Sequence, residues 1–167
     1  MKLRYRKGIF LVVYRKENSE IKYLILKRKL HWKGWEFPKG GIEAGESISK
    51  AIKRELKEET GARPKKIINL NFKGKFDYPR ELKDRPGIKG MIYFLFAVEI
   101  AVSKKNKIKL DKKEHSSYKW LSFKEAYKKL SFNDKKKCLK TVDKLLGKKE
   151  RQGKKEKIKK YTFLTYM

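Results

Sequence analysis

The chain has 167 residues, with 48 lysines and arginines against 19 aspartates and glutamates, so its formal net charge is +29. This length suits one domain, and a hydrophobic content of 39% fills a core of that size, which excludes a chain disordered throughout. The single cysteine, Cys138, excludes an internal disulfide and a multi-cysteine zinc site. Because no apolar run approaches the roughly 20 residues that span a bilayer, we expect a soluble, cytoplasmic protein without a membrane segment.

The positive charge favours polyanionic partners. Its field raises the local concentration of nucleotides, polyphosphates and RNA, so weak RNA binding through the basic surface is expected. The alternative is that the lysines, which are spread along the whole chain, reflect codon bias or life at high temperature.

Apolar patterning in the first third of the chain predicts a β-hairpin and a helix. The strands are Ile9 to Tyr14 and Ile21 to Leu26, with a turn between them. A loop rich in glycine and proline continues from His31 to Gly45. The helix is predicted from Ser47, its N-cap, to Thr60, because Gly61 then occupies the position of a C-terminal glycine cap.

The rest of the chain is predicted to form strands and then helices. Strands are predicted at Lys66 to Phe72, Lys75 to Tyr78, Met91 to Val98 and Tyr118 to Leu121. A capping box formed by Ser122 and Glu125 opens a short helix, and an amphipathic helix is predicted from Asn133 to Leu146. Because strands and helices do not alternate strictly, we expect an α+β fold with a mixed sheet.

The composition changes at Gly147, after which lysine dominates. We therefore divide the chain into a domain at residues 1–146 and a basic C-terminal tail at residues 147–167. The tail is interpreted as a solvated or partly disordered extension, and a dedicated nucleic-acid arm is the alternative.

The helix after Ser47 breaks its own amphipathic pattern. Ala51, Ile52 and Leu56 define an apolar face, yet Glu55 and Glu59 fall on that face and Glu58 falls beside it. Unpaired carboxylates there would be costly. They can be stabilised by arginine, by protonation or by divalent cations, and Mg²⁺ and Mn²⁺ take such oxygen ligands together with substrate phosphates. A helix decorated with surface salt bridges is the alternative.

The surroundings of this helix resemble a known signature. Gly40, Glu46 and the run Arg54-Glu55-Leu56-Lys57-Glu58-Glu59-Thr60-Gly61-Ala62 match the loop-helix signature of the Nudix hydrolases, although the family usually has a larger aliphatic residue at the position of Ala62. The resemblance implies an α/β/α sandwich with a mixed β-sheet. It also implies hydrolysis of a nucleoside diphosphate linked to another group, by attack of water on a phosphorus, with Mg²⁺ or Mn²⁺ as cofactor.

The resemblance also implies roles for single residues. Glu55, Glu58 and Glu59 would be metal ligands, and Glu55 or Glu58 would serve as the base. The carbonyl group of Gly40 would be a further ligand, while Arg54 would support the helix and its loop.

Other segments resemble the Nudix branch that cleaves diadenosine tetraphosphate asymmetrically. They are Trp35-Glu36-Phe37-Pro38-Lys39-Gly40-Gly41, Phe76-Asp77-Tyr78, Lys89 with Met91-Ile92-Tyr93-Phe94, and Glu114-His115-Ser116-Ser117-Tyr118-Lys119-Trp120-Leu121. The chain departs from the animal members at Gly41, where they have histidine, and in two extra residues between Tyr78 and Lys89.

This closer resemblance implies further site residues. Glu114 would lie in a loop over the site as a metal ligand or base, with a solvated loop glutamate as the alternative. Lys39 and Lys89 would hold the polyphosphate. The rings of Tyr78 and Phe132 would clamp a base, although Phe132 could equally be a core residue.

The expected function is therefore metal-dependent hydrolysis of dinucleoside polyphosphates, with diadenosine tetraphosphate giving ATP and AMP. The enzymatic alternative is a pyrophosphohydrolase of RNA 5′ ends or caps, because RNA-decapping Nudix enzymes share the Trp35 to Gly40 pattern and a basic tail suits RNA. The non-enzymatic alternative is an RNA-binding or nucleotide-binding module.

Overall fold

The computed structural model describes residues 3–101 and 107–165, with side chains described as far as residue 156. The elements in chain order are β1 (Arg4–Glu17), β2 (Glu20–Arg28), β3 (Gly34–Glu36), β4 (Lys39–Gly41), α1 (Ile48–Thr60), β5 (Lys66–Asp77), β6 (Ile88–Glu99), β7 (His115–Leu121), α2 (Phe123–Lys129) and α3 (Asn133–Thr165). Two of the strands, β3 and β4, are short and lie inside the predicted loop between residues 31 and 45.

The strands form one mixed sheet. Five of them have the order β3-β2-β1-β6-β5, while β4 pairs with β1 and β7 pairs with β2. The central pair, β1 and β6, is parallel and places Phe10 opposite Leu95, whereas the other pairs are antiparallel. The mixed sheet expected from the sequence is thus confirmed.

The first two strands form the predicted hairpin. Its two turn residues, Asn18 and Ser19, have φ angles of 46° and 69°, both in the left-handed region. A two-residue turn of this kind matches the right-handed twist of the flanking strands.

Helices cover both faces of the sheet because side chains alternate along β1. Ile9 and Leu11 pack with Ile52 of α1 on one face. Phe10 and Val12 pack with Leu139 of α3 on the other face. The result is the predicted α/β/α sandwich, in which α1 is held against the centre of the sheet.

The two strand segments predicted before and after residue 74 are one strand, β5. Its pairing with β6 shifts between Asn69 and Lys73, so the strand is interrupted only by a bulge. At the bulge Asn71 has a φ angle of 50°, and its backbone N–H donates to Oδ1 of Asn69 at 2.9 Å.

The C-terminal helices include one confirmed and one wrong prediction. The capping box of Ser122 and Glu125 opens α2 as expected. The prediction that α3 ends at Leu146 is wrong, because the helix continues through Gly147 to Thr165. Lysine-rich sequence has high helix propensity, and two glycines do not outweigh it over this length. The division at residue 147 stays a prediction.

Within the described parts of the chain, no helix is both long enough and apolar enough to cross a membrane.

Candidate active site

Helix α1 carries the acidic residues that the sequence analysis singled out. Its N-terminus is capped by Ser47, whose side chain accepts from the backbone N–H of Lys50, and it ends at Gly61 with a φ angle of 70°. Because Leu56 and its apolar neighbours face the sheet, the helix period places two of the carboxylates on the same buried side. Glu55 and Glu59 are buried, with exposed fractions of 9% and 4%.

Arg54 ties the helix to the preceding loop. Its guanidinium group donates to both carboxylate oxygens of Glu46, at 2.8 and 2.9 Å, and to the carbonyl oxygen of Gly41 at 2.9 Å. It also donates to Glu55 at 2.7 Å and to Glu58 at 3.3 Å. Arg54 therefore fixes the orientation of two neighbouring carboxylates.

The short strand β4 runs directly beside α1. A Cβ atom at Gly40 would overlap the carboxylate of Glu55, so a larger residue at this position would displace that carboxylate. Register with β1 holds the strand in place, since Gly40 pairs with Ile9. The Gly40 backbone thereby lies next to the carboxylate of Glu55, and its role as a metal ligand stays a prediction.

A second charged layer lies beneath the cavity, and it centres on Glu36, which is fully buried. Arg28 donates to Glu36 at 3.1 Å, Trp32 donates to it through Nε1 at 3.3 Å, and the ammonium group of Lys39 also pairs with it. Burial by itself would raise the pKa of Glu36, but the charge of Lys39, the adjacent His115 ring and the charge of Arg28 outweigh it and hold the pKa below the ordinary value. Arg28 connects this layer to the cavity, because it also pairs with Glu114 at 3.0 Å.

Glu59 lies close to the same layer, and its Oε2 accepts the backbone N–H of Lys39 at 3.1 Å. Burial raises the pKa of Glu59 well above its ordinary value, and the charge of Glu114 raises it further. Oxygen atoms of Glu59 and Glu114 and a ring nitrogen of His115 all lie within 4.8 Å of one another. Both ring nitrogens of His115 are buried and form no hydrogen bond with the described residues, and Nε2 lies 3.7 Å from Oε1 of Glu36.

This donor set fits a divalent cation. Burial raises the pKa of Glu59, so a bound cation would stabilise its carboxylate, and the buried imidazole of His115 offers a further ligand atom. Glu55 has the same character, since burial raises its pKa despite the hydrogen bond from Arg54.

One cavity connects these groups. Its lining residues are Arg6, Arg28, Trp32, Lys39, Gly40, Gly41, Glu55, Glu58, Phe76, Tyr78, Arg85, Met91 and Glu114. The predicted site residues Gly40, Lys39, Glu55, Glu58, Glu114 and Tyr78 are thus brought together. The carboxylate of Glu58 is 57% exposed at the cavity, and Glu59 lies buried behind the lining.

Two predicted residues lie elsewhere. Lys89 does not line the cavity, and its ammonium group lies 4.6 Å from the centre of the Tyr5 ring. Phe132 lines a neighbouring pocket, which shares Trp32 and Phe76 with the cavity.

Sequence reasoning missed several residues of this site. Arg6, Arg28 and Arg85 carry no local signal that separates them from the other basic residues of a chain with 48 of them. Glu36 did carry a signal, because an acidic residue between Trp35 and Phe37 interrupts an apolar run beside the glycine-rich loop. His115 had a signal only as part of the segment from Glu114 to Leu121 that resembles the family.

Carboxylates and basic groups that line one cavity have the chemistry that a phosphate-containing substrate and divalent cations require. The family comparison agrees, since a model of the NUDIX domain matches residues 4–142. The chain belongs to the Nudix family.

Two relatives with different named activities have the same sequence identity to this chain. An RNA pyrophosphohydrolase of a Nitratiruptor species is 29% identical over 135 residues, which cover 78% of this chain and 86% of the relative. An asymmetrical bis(5′-nucleosyl)-tetraphosphatase of Rattus norvegicus is 29% identical over 141 residues, which cover 77% and 87%.

The crystal structure of a C. elegans Ap4A hydrolase binary complex has the same fold, with a TM-score of 0.67, 24% identity, and coverage of 85% of this chain and 98% of that one. The family and its named hydrolases make this protein a Nudix pyrophosphohydrolase, an enzyme of a family that generally uses divalent metal ions. The family and these relatives favour an enzyme over a non-catalytic binding module.

Proposed function

We propose that the protein hydrolyses dinucleoside polyphosphates, with diadenosine tetraphosphate giving ATP and AMP, in the presence of Mg²⁺ or Mn²⁺. The observation that carries the proposal is the composition of one cavity. Its lining combines the carboxylates of Glu55, Glu58 and Glu114 with basic side chains, and an aromatic pocket adjoins it.

The metal ions would be held by Glu55, Glu58, Glu59 and Glu114 and by the Gly40 carbonyl, with His115 close enough to join them. When bound, they neutralise phosphate charge and lower the pKa of a coordinated water. The protein's own part is to position these ligands, which Arg54 does through Glu55 and Glu58.

Proton removal from the attacking water belongs to a carboxylate of α1. Glu55 and Glu58 both face the cavity, and each accepts only one hydrogen bond from Arg54, which leaves lone pairs free. A positioned general base contributes about 10²–10⁴-fold to a rate.

The phosphate chain would extend along the basic part of the cavity, and a base would enter the aromatic pocket. Phe76 and Tyr78 meet edge to face at 5.7 Å, and Trp32 and Phe132 complete an aromatic surface around the pocket. Stacking on such rings is worth about 1–3 kcal/mol per base. Tyr78 itself lines the cavity, where its hydroxyl accepts from Arg85 at 3.4 Å.

A second candidate substrate is the 5′ end of RNA. It is supported by the RNA pyrophosphohydrolase relative and by the basic helix α3, which carries lysines past residue 147. Both substrates place a chain of phosphates in the cavity. The two candidates differ in the group attached beyond the first nucleoside and its phosphates, which is a second nucleoside in one case and an RNA strand in the other.

The test compares the two substrates directly. Purified protein is incubated with Mg²⁺ and either diadenosine tetraphosphate or an RNA bearing a 5′ triphosphate, and the products are resolved by chromatography. We expect ATP and AMP from the first substrate. No turnover of it, together with good turnover of the RNA, would transfer the assignment to RNA.

A variant tests the acidic site. Glu58→Gln should lose about 10² or more in kcat and keep its fold, because the side chain is largely exposed. Glu20→Gln is the matched control, since Glu20 is 67% exposed and Lys22 is its one ion-pair partner among the residues that the structure describes. An active Glu58→Gln enzyme would contradict the assignment.

A further inference from the structure

Two guanidinium groups in the cavity lack a carboxylate partner within it. Arg6 lies on β1 and Arg85 on the loop before β6, and both line the cavity. Within residues 3–101 and 107–165, Arg6 forms no ion pair with a carboxylate, and Arg85 meets only Asp84, at 3.8 Å, which is 55% exposed. The other two basic groups of the lining, Arg28 and Lys39, are already paired with Glu36.

Arg6 is held in an unfavourable position. Its Nε atom is buried and has no hydrogen-bond partner among the described residues. Its guanidinium packs against the backbone of Gly41, where an added Cβ would lie 3.0 Å from Nη1. Burial lowers the pKa of Arg6 and the nearby charge of Arg85 lowers it further, while Tyr78 and the charge of Glu55 offset only part of this. A buried donor without a partner, beside a like charge, destabilises the folded state.

The two groups converge on one point. Arg85 donates from Nη1 to the Tyr78 hydroxyl at 3.4 Å, and the Arg6 guanidinium neighbours the same hydroxyl. An anion bound there would relieve the repulsion between the two arginines and accept their free N–H groups. Guanidinium groups suit phosphate, because their planar N–H pairs match two phosphate oxygens.

We propose that Arg6 and Arg85 bind a phosphate group of the substrate other than the one attacked, and so select chains of three or more phosphates over diphosphates. This inference rests on the proposed function, because it concerns the polyphosphate of that substrate. The carboxylates of α1 and the arginine pair line one cavity, so a single chain can reach both. Lys89, which the resemblance had assigned to the polyphosphate, lies outside that lining.

The test uses Arg6→Gln and Arg85→Gln, with Arg4→Gln and Arg80→Gln as controls that remove the same charge from exposed positions of β1 and of the loop before β6. We expect each test variant to raise KM for diadenosine tetraphosphate about tenfold or more, as the loss of a charge-assisted hydrogen bond implies. We expect kcat to stay near the wild-type value, because the lost interaction stabilises the bound substrate and the transition state equally. The inhibition constant of tripolyphosphate should rise in parallel, whereas that of pyrophosphate should not change.

Two further measurements separate binding from a structural role. Arg6→Lys keeps the charge and loses the planar fork, so its KM should lie between those of the wild type and Arg6→Gln. The melting temperature of Arg6→Gln should equal or exceed that of the wild type, because the substitution removes a charge that repels Arg85 and a buried Nε donor without a hydrogen-bond partner among the described residues. A residue that merely supports the fold would lower it.

The outcomes distinguish this inference from the proposed function. If the wild type is active and Arg6→Gln and Arg85→Gln keep its KM, the inference is overturned and the proposed function stands. The same holds if the two variants lose as much affinity for pyrophosphate as for tripolyphosphate. If the wild type hydrolyses no nucleotide, calorimetry measures the affinity for diadenosine tetraphosphate directly. If Arg6→Gln then binds diadenosine tetraphosphate more weakly than the wild type, the inference is supported and the proposed function is rejected. If the two proteins bind it equally well, both are rejected.

Discussion

The backbone of Gly40 lies so close to the carboxylate of Glu55 that a single methyl group at position 40 would overlap it. This contact sets the separation between β4 and α1 on the acidic side of the cavity. Because the carboxylate also accepts from Arg54 at 2.7 Å, it has little room to move away. The absence of a side chain at Gly40 is therefore required for the position of Glu55.

Gly40→Ala should displace Glu55 and lower kcat/KM by about 10², the cost of misplacing a catalytic group by about 1 Å. Gly147→Ala is the matched control, because no atom lies within 4 Å of the added Cβ and the position is helical. That control should keep full activity and gain about 0.5–1 kcal/mol in the free energy of unfolding. Steady-state kinetics and urea denaturation test both variants, and wild-type kcat/KM in Gly40→Ala would show that the overlap is relieved elsewhere.

Glu36→Gln should destabilise the fold strongly. The substitution leaves Arg28 and Lys39 buried, with exposed fractions of 3% and 6%, and removes the carboxylate that both pair with. Breaking such a buried pair costs about 3–5 kcal/mol. Urea denaturation measures the change, and Glu20→Gln, which breaks an exposed pair, should leave the midpoint unchanged. Equal midpoints for the two variants would contradict the structural role of Glu36.

Glu46 should make stability depend on pH in the acid range. The hydrogen bonds from Arg54, and then that from the backbone N–H of Glu43, lower the pKa of Glu46 from 4.5 to about 2. A carboxyl group with a depressed folded-state pKa stabilises the fold fully above its unfolded pKa, and that contribution is lost as pH falls through the folded pKa.

Glu46→Gln should therefore be less stable than the wild type at pH 7, and the difference should shrink as pH falls below 4.5 toward about 2. Urea denaturation at pH 7, 5, 4 and 3 provides the comparison. A difference that stays constant over this range would show that the Glu46 charge does not contribute to stability.

Cys138 should be unreactive in the native protein. Burial raises the pKa of its thiol to about 11, and the residue is fully buried on the face of α3 that packs against the sheet. Because the thiolate is the reacting form, alkylation by iodoacetamide at pH 8 should be far slower in the folded protein than in urea. Mass spectrometry measures the modification with time, and equal rates in the two conditions would show that α3 opens readily.

The sequence by itself determined the local structure around α1. Ser47 and Gly61 cap the helix where the pattern predicts, and Glu55 and Glu59 are buried as the helix period requires. Such features depend on residues a few positions apart, so a short stretch of chain contains all the information needed. The same holds for the hairpin and for the capping box of α2.

Only the tertiary structure decided which basic residues join the acidic ones. Arg6 and Arg85 are 79 positions apart, and the parallel pairing of β1 with β6 brings their segments together. Their charge does not distinguish them from the other residues among 48 lysines and arginines. They differ because they line the cavity and form no ion pair with a carboxylate of that lining. Whether a side chain has a charged partner depends on residues that are distant in sequence and meet only after folding. No local sequence pattern therefore identifies it.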